Sequence, residues 1–242
     1  MRTRNYQITV GDLVVEVVRK NIKNINLSVR PPDGHVRVSI PLRVGDEAVR
    51  LFVESKIPWI MKQQSKFTGQ KRQSPKEFVS GESHYYQGNS YLLTVTYHDA
   101  PPTVDLSKNA TIDMTVRKGS DATIRERVLL EWYREQLKEV VPPLIIKWEE
   151  IVGVKIVEWR IKRMKTRWGT CNIRVRRIWL NLELAKWPVR CLEYIIAHEM
   201  IHLHERLHND QFVSYMNKFM PQWRLIRDEL NSGPLGKQDL EY

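Results

Sequence analysis

The sequence contains no stretch of about 18 uninterrupted apolar residues, the length a membrane-spanning helix needs. With only two cysteines, Cys171 and Cys191, it also lacks the material for a disulfide framework. Eleven glycines and 12 prolines are too few for a collagenous or low-complexity chain. The opening MRTRNYQITVGDLVVEVV has no apolar run of the kind a signal peptide carries, so the expected location is cytoplasmic, with reduced thiols. Hydrophobic residues make up 42% of the chain and eight are tryptophan, which favours a folded globular protein over a disordered one. Its 242 residues suit one large or two small domains. Lys and Arg number 39 against 28 Asp and Glu, and the resulting +11 charge makes anionic partners, nucleic acid among them, worth considering.

The pattern changes along the chain. Tyr6, Ile8, Val10 and then Leu13, Val15, Val17 alternate about Gly11 and Asp12, which predicts a hairpin. Ile25, Leu27, Val29 and Val36, Val38, Ile40 predict a second, reversing through Pro31, Pro32, Asp33 and Gly34. A helix is expected from about Gly45 to Ser65, with Pro58 a candidate kink, and further short strands from Phe78 to Val95, followed by a polar, proline-bearing stretch from His98 to Leu106. No internal repeat is visible. From Thr123 the period becomes helical, Thr123 and Glu126 offer a capping box, and Pro142 and Pro143 should kink or end the helix before Gly153. Strands are expected over 154–161 and 178–182, and Pro188 suits the first turn of another helix. The expectation is an α+β protein: a strand-rich N-terminal domain over 1–119, then a mainly helical domain over 120–242.

The last of these helices carries the motif Ala197-His198-Glu199-Met200-Ile201-His202. At 100° per residue, two histidines four apart stand about 40° from each other around the axis and about 6 Å along it, so both imidazoles can share one cation. Glu199 beside the first is placed to take a proton from a water activated by a zinc ion without being a ligand. A catalytic zinc commonly has three protein ligands. His204 would point about 200° away from His202. His208 can reach the metal only if the chain turns after about Glu205, with Asn209 or Asp210 capping a following helix. Glu229 is its rival. Cys191 is separated from His198 by about 10 Å of rise and is expected to be a buried apolar residue, as is Cys171. Trp132, Trp148, Trp159 and Trp187 read as core.

Lys165-Thr166-Arg167-Trp168-Gly169-Thr170-Cys171, Leu180-Asn181, and the HEMIH helix with His208 and Phe212 together resemble the YgjP-like metallopeptidase family. Val36-Arg37-Val38-Ser39-Ile40-Pro41, Trp59-Ile60 and Val79-Ser80-Gly81-Glu82 with Tyr86 and Tyr91 extend the resemblance over nearly the whole chain. It implies a zincin-like catalytic portion holding one zinc through His198, His202 and His208, with Glu199 as acid and base. The His202 to His208 interval also matches metzincins, but Glu205 stands where those use glycine. Peptide or protein substrates lead. Cleavage of a nucleoside triphosphate such as UTP, to which some members of the family are linked, is the alternative. From Arg160 to Arg177 eight Lys or Arg occur with no acid. This run could hold phosphates, or form a solvated strand face with Ile161, Met164, Ile173, Val175 and Ile178 packed beneath. Lys165 and Arg167 are its candidate substrate-binding residues.

Overall fold

The computed structural model describes residues 4–30, 34–68, 76–107 and 110–232, and in it the early alternation becomes four strands. They are β1 (Arg4–Val10), β2 (Leu13–Lys20), β3 (Asn26–Arg30) and β4 (His35–Pro41). The order is β1-β2-β4-β3: two antiparallel hairpins joined by a parallel β2–β4 pair. Helix α1 (Asp46–Thr68) runs through Pro58 and brings Val49, Val53 and Ile60 into one core with Val15, Val17, Val36, Val38 and Ile40.

The same topology recurs further along. Strands β5 (Ser83–Tyr86), β6 (Asn89–Tyr97), β7 (Thr103–Leu106) and β8 (Thr111–Val116) form a sheet of order β5-β6-β8-β7, again two hairpins about a parallel pair. A long helix, α2 (Ala122–Val152), follows this sheet as α1 follows the first. The repetition lies in strand order and has no counterpart in the sequence.

The chain divides into compact units Met1–Ser74 and Pro75–Tyr242. This is not the division near residue 120 at which the period changes. Tyr86, Leu93, Ile112, Met114 and Val116 belong to the same core as Leu129, Tyr133 and Leu137 of α2, so the second sheet is part of the larger, C-terminal unit. A change of period marks a change of element, whereas shared burial defines a unit.

Pro142 and Pro143 do not end helix α2: its 31 residues continue through both. Buried Leu129, Tyr133, Leu137, Val141, Ile145, Trp148 and Val152 keep one unbroken core face, and tertiary packing outweighs the lost backbone bonds. Its cap is Asp121, whose Oδ1 accepts from the Ile124 N–H at 2.8 Å, rather than Thr123. Gly153 ends it in the left-handed region, at φ 73°, as a helix C-terminus favours.

A three-stranded sheet then sets up the site: β9 (Glu158–Lys162), β10 (Gly169–Asn172) and β11 (Arg177–Asn181), in the order β10-β11-β9. Strand β10 is absent from the sequence expectation. A 3-10 turn, Leu182–Lys186, leads to α3 (Val189–Ile201), α4 (Asp210–Phe219) and α5 (Trp223–Ser232). Ile178 is fully buried beneath the basic run, but Ile173 and Val175 are 39% and 43% exposed in the turn between β10 and β11. Among the described residues no helix is long and apolar enough to cross a membrane.

His84 on β5 is a buried titratable group, stacked on Phe78 with its Nε2 3.2 Å from Glu82 Oε2. Glu82 also accepts the backbone N–H groups of Glu77 and Phe78, at 2.7 and 3.0 Å, which accounts for its place in the Val79–Glu82 motif. Burial, with Lys76 adding, lowers the His84 pKa to about 4 despite Glu82. The unfolded histidine titrates near about 6.5, so it binds the proton first, and stability is lost as pH falls from about 6.5 towards 4. In urea denaturation at stepped pH, His84→Gln is expected to flatten the dependence in that window. An unchanged slope would contradict the assignment.

Candidate metal centre

Helix α3 is buried nearly throughout: Cys191, Leu192 and every residue from Tyr194 to Ile201 lie in the interior. His198 and Glu199 are therefore core residues, 3% and 2% exposed, where an unsatisfied polar group is costly. The helix stops at Ile201, and His202 is its C-cap. The reversal required by the sequence follows at once. Glu205 Oε1 accepts the Leu207 N–H at 2.9 Å, and Asn209 Oδ1 accepts the Phe212 N–H at 3.0 Å to start α4. His208 is thereby carried back to α3.

One ring nitrogen from each of His198, His202 and His208 lies within 4.8 Å of the others, and the Nε2 atoms of His198 and His208 are 3.0 Å apart. Phe212 packs on all three rings at centroid distances of 4.8 to 4.9 Å, closing the cluster with an apolar surface. The His202 Nδ1 stands 3.0 Å from the Glu205 carbonyl oxygen. A proton held there leaves Nε2 with the lone pair, the tautomer a metal ligand needs.

Burial lowers the pKa of all three imidazoles. His202 and His208 push His198 further down, and the Glu205 carbonyl partly offsets the effect at His202. The triad is thus held neutral, as metal ligation requires. Three neutral nitrogen donors converging on one point fit a divalent metal of the zinc type.

The remaining candidates fall elsewhere. His204 hydrogen-bonds through Nε2 to the Val152 carbonyl at 2.9 Å and packs on Tyr215, tying the end of α3 to that of α2. Glu229, the rival ligand, is held by Arg190, with Nε to Oε2 at 2.8 Å. Cys191 is fully buried with its Sγ 3.9 Å from the same Glu229 oxygen. Trp148 and Trp187 are buried, and Trp132 and Trp159 pack against the same core.

The basic run is divided. Arg163 pairs with Glu126 and Glu183, while Arg160 and Arg177 share Glu158. Lys165 and Arg167 are exposed and form no ion pair with a described residue. Their segment is clamped by buried Asn181: its Nδ2 donates to the Met164 and Arg167 carbonyls at 3.1 and 2.7 Å, and its Oδ1 accepts the Met164 N–H at 3.2 Å. The sequence reading missed Gly169, which opens β10 directly against the Glu199 carboxylate. No alternation marks this four-residue stretch as a strand, so the close approach has no local signal in the sequence.

The donor set accords with the family to which the sequence matches. A family model described as YgjP-like, metallopeptidase domain, matches residues 23–233, and the chain belongs to that family. It is accordingly a metal-dependent hydrolase of the metallopeptidase class. Among solved structures, the metallopeptidase zymogen of Pyrococcus abyssi abylysin is similar at 20% identity, with 40% of this chain and 97% of that one covered and a TM-score of 0.37. No curated protein matches the chain.

Replacing His198, His202 or His208 singly by alanine is expected to strip the purified protein of its metal, measured by plasma mass spectrometry, while His204→Ala retains it. Metal retained by all three triad variants would refute the cluster as a metal centre.

Proposed function

We propose that the protein is a zinc-dependent peptidase in which His198, His202 and His208 hold one zinc ion and Glu199 handles the proton of the attacking water. The observation that carries this reading is the convergence of three imidazoles from the end of α3 and the turn before α4, with the buried Glu199 next in the chain to the first of them. When bound, zinc supplies a Lewis acid for the water and for the scissile carbonyl. The chain's own groups do the rest. Glu199 accepts a water proton on a carboxylate oxygen as the new C–O bond forms, then delivers it to the departing amine nitrogen as the C–N bond breaks. Phe212 packs against all three rings and helps to hold their orientation, with His198 buried and His208 at the exposed side of the cluster. Lys165 and Arg167 offer positive charge to the substrate from the segment that leads into β10.

Family membership favours a peptide or protein as substrate. The pairing of Arg160, Arg163 and Arg177 with carboxylates removes three of the cations that would otherwise be available to a triphosphate.

Glu199→Gln is expected to lower peptide-bond cleavage of unstructured casein, followed by mass spectrometry, by about 10²- to 10⁴-fold, the usual contribution of a positioned acid–base group. Bound zinc should stay at the wild-type level. Cleavage that persists in zinc-loaded Glu199→Gln would exclude Glu199 as the proton carrier.

A further inference from the structure

We infer that Gly169 is a positioning residue for Glu199: the missing side chain at 169 is the space in which the carboxylate sits, and the β10 backbone is the wall that sets its place. This deepens the proposed function and rests on Glu199 as the proton carrier.

Glycine is a poor strand residue, and here no backbone requirement explains it, because Gly169 is not among the residues with positive φ. It pairs with Leu180 in an ordinary antiparallel ladder. Space explains it instead. A Cβ at 169 would lie 2.7 Å from Glu199 Oε1, 2.9 Å from Glu199 Cγ and 2.8 Å from Ile195 Cγ2. All three distances are shorter than carbon atoms tolerate, so something must move.

The wall is fixed on every side that contacts define. Behind it, Leu180 is fully buried, and Trp168 is 1% exposed and edge-on to Trp187 at 5.8 Å. Before it, the Asn181 side chain clamps Met164 and Arg167, and the Asn181 backbone N–H donates to the Trp168 carbonyl at 2.8 Å. Ile195 is fully buried on α3. Close-packed interiors resist such shifts. The carboxylate is the group that yields, and it carries the chemistry. Trp168, Gly169 and Asn181, which belong to motifs outside the metal triad, thereby acquire one shared task.

The test is a thermal double-mutant cycle on the full-length protein, read beside casein turnover. Gly169→Ala is expected to lower the midpoint by about 5 to 10 °C with Glu199 present and by less than half of that in the Glu199→Ala background, where two of the three contacts are gone. Gly169→Ala that folds only without Glu199 is the extreme of the same result. Equal losses in both backgrounds, failure to fold in both included, would overturn the inference.

In turnover, Gly169→Ala should cut kcat about 100-fold with KM within about twofold and bound metal unchanged, as expected for a catalytic group displaced by about 1 Å. Full activity in Gly169→Ala beside an inactive Glu199→Gln would overturn the positioning role and leave the proposed function standing. Turnover that survives Glu199→Gln would instead refute the proton-carrier reading. The thermal cycle needs no substrate and decides the contact in either case.

Discussion

Three imidazoles held neutral at one point is the constraint on which the catalytic unit depends. Histidines four apart on one helix bring only two nitrogens together, and the third must return from beyond the helix end. The structure meets this by ending α3 at Ile201, bracing the turn with the Glu205 carboxylate, and restarting at Asn209. Burial then does what proximity cannot. Three protonated imidazoles within 4.8 Å would repel one another, and the interior disfavours the charged form of each.

The rest of the unit serves to hold that point rigid, with His198 in the interior and His208 at the surface. Core residues of α2 and the second sheet surround α3, so His198 and Glu199 sit where side chains have few alternative rotamers. The small sheet contributes an edge strand pressed against Glu199, and Asn181 anchors the loop that feeds it. The histidine cluster is built from α3 and the turn before α4, and the wall against the Glu199 carboxylate from β10. Precision of the kind a proton carrier needs arises from both.

How much of this was legible in the sequence follows from which interactions are local. The helical spacing of His198 and His202, the need for a turn before His208 and the cap at Asn209 are consequences of backbone geometry, and the structure places these residues as that geometry requires. The hairpins about Gly11 and Gly34 were equally readable. Non-local packing was not. Pro142 and Pro143 break helices in isolation, yet α2 continues because its buried face is held along its length. Strand β10 has only four residues and begins with glycine, so it carries no alternation to detect. The unit boundary and the repeated strand order depend on burial and pairing across distant segments, which the change of period near residue 120 does not report.

The most direct test of the central claim is zinc K-edge X-ray absorption on the zinc-loaded protein. Three imidazole nitrogens and one oxygen donor at about 2.0 to 2.2 Å are predicted, with no sulfur scatterer. A sulfur shell near about 2.3 Å, or fewer than three imidazole contributions, would contradict His198, His202 and His208 as the metal centre.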